Sequence, residues 1–456
     1  MRVNYKKVAM PSIDNVTELI QINEATMEGR RKRLISVMKE EGFSSVIVYA
    51  DKEHGSNFEH LTGFIPRFEE GLQIFNVDGT STLILGNENF NKVKYSHTPS
   101  EGIKCSLFSL PNQPINDIGE MTEIMKQVSI DISGNVGIVG WKVLPGMTHD
   151  FDIPTFITNA IKEVVPNEKL VNGTYLYIDP KIGARILNNA NEIAHFEYGA
   201  SLASDSVLNA MNSLEIGITE QEAGSLLQDN GYFPNVVTIS TFGERFIGAN
   251  LYPTSRELKV GDKVALTVSY RGGLSSRNSY AVNNIEELEL ADKGYYEEAV
   301  IPYFSAYHYW LSNMKLGISG GNFYKGFKEF YPQEVYGWEL NPGHLTSYEE
   351  WMSSPLYGDS DAVIQSGMVF QVDFIPIQAG HNGVSAESSL AIADENLRDE
   401  IAKQYPDMWK RIQSRRDYII NELGINLAEE LLPSASTLAY YRPFLLDKET
   451  ALVIEK

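Results

Sequence analysis

The chain of 456 residues has a single cysteine, Cys105, so no intramolecular disulfide can form and stability must come from packed cores. Basic residues are also few, with 38 Lys and Arg against 60 Asp and Glu and a net charge of −22. Such a surface repels phosphate backbones and anionic headgroups, which argues against nucleic-acid binding and attachment to a lipid surface. Long hydrophobic runs are missing: Ser45–Ala50 and Ser81–Gly86 are strand-sized, far short of the roughly 20 apolar residues of a membrane span. The N-terminal sequence MRVNYKKVAMPSIDNV has no apolar stretch of signal-peptide type, so a soluble cytoplasmic protein is expected. What is present is ordinary globular composition, 43% hydrophobic and 21% charged, which excludes a disordered or fibrous chain. The length suits two or three domains.

Apolar spacing predicts helix over Val16–Glu41 and a strand over Ser45–Ala50. Gly71–Val77 and Thr80–Leu85 flank Asp78-Gly79, a hairpin signal. Cys105–Leu110 and Asn135–Trp141 are further strand candidates, with a helix over Ile115–Val128. Turn and breaker pairs at Asn172-Gly173 and Asp179-Pro180 mark a domain boundary. Beyond it, helices are expected at Ala184–Leu214, Thr219–Asp229, Leu288–Lys315, Asn322–Phe330 and Asn396–Leu423. Thr219 with Glu222 has the capping-box pattern. Strands are expected at Val236–Thr241, Lys263–Tyr270, Ser279–Val282, Met368–Ile375 and Glu387–Ala393. This order reads as an α+β domain with an antiparallel sheet.

Several phrases stand in a distinctive order. They are Asn191-Glu192-Ile193, Lys259-Val260-Gly261-Asp262-Lys263-Val264, Pro342-Gly343-His344, Ser366-Gly367-Met368-Val369-Phe370 and Ala386-Glu387-Ser388. The first half adds Tyr49-Ala50-Asp51 and Leu61-Thr62-Gly63-Phe64. Together they resemble the creatinase, prolidase (Xaa-Pro dipeptidase) and aminopeptidase P family, over nearly the whole chain. The resemblance implies an α+β protein with a creatinase-like α/β domain at 1–178 and a pita-bread domain at 179–456. It also implies a homodimer.

Peptidases of that family hold two divalent metals with two Asp, one His and two Glu, and the bridging water becomes a nucleophile near neutral pH. The resemblance places these five positions at Thr267, Asn278, His344, Asp373 and Glu387. Two are therefore neutral, and Asp373 is one methylene shorter than Glu. Thr267 is a lost ligand position, and at most one weak site with His344, Asp373, Glu387 and the Asn278 amide is expected. The family's substrate-side histidines fall on Asn250 and Trp351, and creatinase, the metal-free member, relies on a His at the position of Asn250.

Other residues stay open to two readings. Arg277 is either a cation facing the leftover carboxylates or a surface arginine. Arg67, with His54, Glu69 and Glu70, brackets Leu61–Phe64 as a substrate-reaching loop or a plain solvated one. Trp338, Tyr348 and Trp351 are core residues or an aromatic wall near His344. Asp373 and Glu387 are the candidate catalytic carboxylates. Three functions follow as expectations. The first is a peptidase-like protein with a degenerate site, binding a small amide, amino acid or short peptide without two-metal hydrolysis and without a cofactor. The second is a hydrolase of the Xaa-Pro dipeptidase type using one Mn, Zn or Co ion. The third is a metal-free hydrolase or lyase acting on a small C–N substrate.

Overall fold

The computed structural model describes residues 2–113, 119–228, 231–248, 252–381 and 383–455. The chain forms two compact units: Ile22–Ile186, and Met1–Gln21 together with Leu187–Lys456. The N-terminal arm belongs to the second unit because its strand β1 (Arg2–Lys7) pairs antiparallel with the last strand, Thr450–Glu455.

The unit Ile22–Ile186 is built on a mixed sheet of β2 (Phe43–Ala50), β3 (Gly71–Asn76), β4 (Ser81–Leu85), β5 (Glu101–Lys104), β6 (Asn135–Val139) and β7 (Leu170–Asn172). Its order is β5-β4-β3-β2-β6-β7. The β3–β4 hairpin forms as the Asp78-Gly79 signal predicts, with Gly79 at φ +91°. Ile47, Ile74, Ile84 and Ile138 form part of its core. Helix is confined to Glu24–Glu40, because Asn23 accepts from the Thr26 amide as N-cap. Cys105–Leu110 is not a strand: β5 ends at Lys104, and Ser106–Phe108 forms a 3₁₀ turn. The buried Cys105 thiol packs beside Met121. The helix expected from Ile115 is seen at Glu120–Gln127, and its first expected residues lie outside the described ones.

The second unit carries β8 (Ile239–Phe242), β9 (Lys263–Tyr270), β10 (Gly273–Tyr280), β11 (His344–Leu345), β12 (Val369–Val372), β13 (Ser385–Ile392), β14 (Leu431–Pro433) and β15 (Thr450–Glu455). The main sheet runs β11-β12-β13-β10-β9-β8, every pair antiparallel, with β14 beside β13. The helix Ala190–Ser213 packs across β9 and β10. It starts at Ala190 rather than Ala184 because Asn189 and Glu192 form a reciprocal capping box. A Cβ on Gly199 would lie 2.0 Å from the Arg271 carbonyl oxygen, so only glycine allows this approach of helix to sheet.

The strand expected at Ser279–Val282 instead runs Gly273–Tyr280, pairing with β9 along its whole length. Its SSRNS stretch lacks apolar alternation, so its strand character comes from its neighbours. The long C-terminal helix is interrupted: Glu395–Gln404 ends before Tyr405, and Pro406 opens a second helix to Asp417. Among the described residues no helix is long and apolar enough to cross a membrane.

Two ionic clusters hold segments of this unit. The Arg415 guanidinium lies 2.7 Å from both Asp14 on the N-terminal arm and Glu197 on the long helix. Arg411 also pairs with Glu197, and Asp205 accepts the Asp14 and Asn15 amides. Burial alone would raise the Glu197 carboxyl, but Arg415 and then Arg411 hold it below its ordinary 4.5. The second cluster ties His381, in the connection between β12 and β13, to residues earlier in the unit. There His381 sits 2.8 Å from Asp292 through Nδ1 and 3.3 Å from Glu298 through Nε2, while the Tyr280 hydroxyl donates to Asp292. Burial would lower the imidazole, yet these carboxylates outweigh it and raise it above 6.5.

Removing one partner of a buried pair leaves an uncompensated charge. Arg415→Ala is therefore expected to cost about 3–5 kcal/mol in chemical denaturation, and a loss under 1 kcal/mol would contradict it. The depressed Glu197 carboxyl contributes stability above its unfolded value that is lost as pH falls through the folded one. Denaturation midpoints should therefore fall below about pH 4.5, with a weaker fall in Glu197→Gln. The sign is opposite for His381. Its contribution is full below 6.5 and lost as pH rises through the raised value. Amide exchange over residues 377–381 should accelerate on that rise, and His381→Ala should remove the pH dependence.

Candidate functional site

Register brings the predicted positions into one row. Thr267 on β9 opposes Ser276 on β10, and Ser276 opposes Glu387 on β13. Directly opposed residues share a face of the sheet. Val372 opposes Ser388, so continuing that register by one residue sets Asp373, just past the end of β12, opposite Glu387. His344 enters from β11, placed by Gly343 at φ +110°, a conformation that strains any residue with a Cβ.

His344 is fully buried, and its ring is stacked on Trp351 at 4.0 Å between centroids. Its Nδ1 lies 3.2 Å from the Leu345 carbonyl, an acceptor only, so Nδ1 carries the proton. Nε2 then faces Glu350 Oε1 at 2.9 Å and Asp373 Oδ2 at 3.6 Å. The ring N–H does not point along either contact, so both act as ion pairs rather than aligned hydrogen bonds. A bare lone pair between two carboxylates would be repelled. Burial alone would lower the imidazole, but Glu350 and Asp373 carry it up to about 10.

The carboxyls respond in turn. Burial raises Asp373, and His344 draws it part of the way back. Glu387 is pushed well above its ordinary value by burial first and by the Asp373 charge second, although the Ser385 hydroxyl donates to its Oε1 at 2.6 Å. Asp373 is 5% exposed, and its Oδ1 has no hydrogen-bond partner among the described residues. The same holds for the Asn278 Oδ1, on a half-buried side chain of β10.

The other predicted residues are placed as follows. The Thr267 hydroxyl is bonded to the Ser276 hydroxyl at 2.8 Å. Arg277 does not meet the carboxylates. Strand alternation turns it to the opposite face from Ser276 and Asn278. Its guanidinium donates to the main-chain carbonyls of Ser276, Glu387, Thr437 and Tyr440 and to the Ser388 hydroxyl. It is also not a surface arginine, being 1% exposed. Arg67 lies in the unit Ile22–Ile186, where its amide donates to Asn89 and its carbonyl accepts from it. Asn250 lies outside the described residues. Trp338 is a core residue whose indole donates to the Tyr331 carbonyl, and Tyr348 packs edge-on against Phe196. Of the three aromatics, only Trp351 flanks the imidazole by stacking.

Sequence reasoning missed Glu350. It joins the site because the chain reverses after β11, with Leu345 bridged to Ser353. That reversal brings back a residue six positions past His344, a proximity that no periodicity encodes. Glu349-Glu350 beside Trp351 was the only local signal.

Among the described residues, one group of potential metal donors converges: His344, Glu350 and Asp373, with ligand atoms within 4.8 Å of one another. One imidazole and two carboxylates suit a single divalent ion in donor type. At position 267 stands a hydroxyl already shared with Ser276, and at 278 an amide. Glu387 is not one of the three converging donors.

No family model matches the sequence, and no curated protein matches it significantly. Solved structures do. A Xaa-Pro dipeptidase from Bacillus anthracis superposes with a TM-score of 0.60 at 16% identity, covering 81% of this chain and 96% of that one. The prolidase from Pyrococcus horikoshii gives 0.60 at 18%, covering 80% and 95%. The X-Pro aminopeptidase from Thermotoga maritima gives 0.60 at 15%, covering 80% and 95%. At these identities the likeness establishes architecture, and the chain has the two-domain α+β pita-bread fold of Xaa-Pro dipeptidases and X-Pro aminopeptidases.

Proposed function

We propose that this is a prolidase-fold protein whose site binds a small amide, amino acid or short peptide and does not hydrolyse it by a two-metal mechanism. The observation that carries this reading is the Thr267–Ser276 hydroxyl pair, with the neutral Asn278 on the same strand as Ser276. A hydroxyl and an amide do not offset the charge of a second dication. What remains is an imidazole held between Glu350 and Asp373, with Glu387 opposite Ser276. These groups offer hydrogen bonds and charge to a ligand, and Trp351 offers a flat apolar surface beside them. A homodimer, as the family resemblance implies, is the expected assembly.

The convergence of His344, Glu350 and Asp373 favours one alternative, a hydrolase of the Xaa-Pro dipeptidase type with a single metal. An ion bound there would polarise a substrate carbonyl and acidify water. In that case Glu350 and Asp373 would balance its charge, and Glu387, hydrogen-bonded to Ser385, would be the remaining carboxyl to exchange a proton.

Metal content separates the two readings. After dialysis against Mn, Zn or Co, the purified protein is expected to hold at most one ion per chain and to leave glycyl-proline uncleaved. Two ions per chain, or metal-dependent cleavage, would overturn the leading reading. Loss of a single bound ion and of cleavage together in Glu350→Gln would establish the alternative. The combined variant Thr267→Asp, Asn278→Asp, Asp373→Glu is expected to gain a second ion while keeping its circular dichroism. A folded variant without that gain would refute the assignment of positions 267 and 278.

A further inference from the structure

We infer that the site formed by His344, Glu350, Asp373 and Glu387 takes the primary ammonium group of a small organic ligand, at the place where the family resemblance would put metal. The inference rests on the reading of this site as a ligand site and specifies what that ligand must carry.

The reason is an imbalance between donors and acceptors. Asp373 Oδ2 faces His344, whereas Oδ1 is buried without a partner among the described residues, on a residue only 5% exposed. Asn278 Oδ1 also lacks a partner. A carboxylate has room for about four donors and an amide oxygen for about two. Among the described residues no donor reaches Asp373 Oδ1 or Asn278 Oδ1. Thr267 and Ser276 bond to each other, His344 Nδ1 faces the Leu345 carbonyl, and Arg277 bonds the main chain and the Ser388 hydroxyl. Acceptors cannot satisfy one another, and a buried acceptor left bare costs about 1–3 kcal/mol.

A primary ammonium supplies three donors and a positive charge on one small centre. It therefore answers both deficits at once. An anionic group would meet Glu350 and Asp373 with like charge, and a neutral hydroxyl would bring one donor and no charge. Glu350 and Trp351 are each only partly buried, which gives the ligand an approach. Trp351 can hold an apolar body beside the cationic head. An organic cation also does not demand the ligand geometry that the amide and hydroxyl positions deny to two metal ions.

The experiment uses the full chain in EDTA, with benzylamine and its neutral counterpart benzyl alcohol as probes, read by calorimetry and melting temperature. Benzylamine is expected to bind about tenfold tighter than benzyl alcohol, as for a charge-assisted hydrogen bond. The preference should weaken with added salt and vanish in Asp373→Asn. Should that variant not fold, Glu350→Gln is expected to reduce the preference instead. Equal binding of the two probes, binding of neither, or an unchanged preference in a folded variant would overturn the inference. Glycyl-prolinamide and its N-acetylated form, titrated in parallel, distinguish the two levels. If the acetylated form binds and benzylamine does not, the ammonium assignment fails and the ligand site stands. If none of the four compounds binds, both fail.

Discussion

Two carboxyl groups on neighbouring positions of a buried sheet cannot both stay ionised unless something positive lies between or beside them. Asp373 and Glu387 impose that constraint here, and the surrounding site is arranged around it. One answer is a proton, which burial and mutual repulsion keep on Glu387 to higher pH. Another is the His344 imidazole, wedged between Asp373 and Glu350 and backed by Trp351. An external cation, as proposed above, would be a third. Strand geometry rules out Arg277 as that cation, because its side chain leaves β10 on the other face.

The rest of the second unit holds these strands in register. β10 is poor in apolar residues, yet it lies between β9 and β13, and the helix Ala190–Ser213 covers it. The connection that joins Asp373 to Glu387 is tied back through His381 to Asp292 and Glu298. The N-terminal arm is tied through Asp14 to Arg415, which also pairs with Glu197 on that helix. Precise placement of buried polar groups requires such support, since a small displacement would trade one satisfied contact for an unsatisfied one.

Much of the fold was legible along the chain. The β3–β4 hairpin, the strand Phe43–Ala50, the Thr219 capping box and β9 all carry local signals that the structure obeys. The misreadings have local causes too. Val16–Gln21 has helical spacing but lies before the Asn23 cap, and Pro406 stops a helix whose periodicity continues past it. Cys105–Leu110 has strand-like composition but turns at Ser106. β10 was misplaced because SSRNS has no hydrophobic period, and pairing on both sides decides its conformation.

For the site, the sequence by itself determined which chemical groups are available: the neutral side chains of Thr267 and Asn278, the carboxyls of Asp373 and Glu387, and the imidazole of His344. Side-chain charge is a property of composition and can be read along the chain. Only the tertiary structure decided which of these groups meet. A reversal after β11 recruited Glu350 to the imidazole, and strand alternation sent Arg277 away from it. Burial then raised the carboxyls. Contact between residues distant along the chain depends on register and on the side of the sheet each occupies, and removal from water depends on what covers them. None of these is written at any single position.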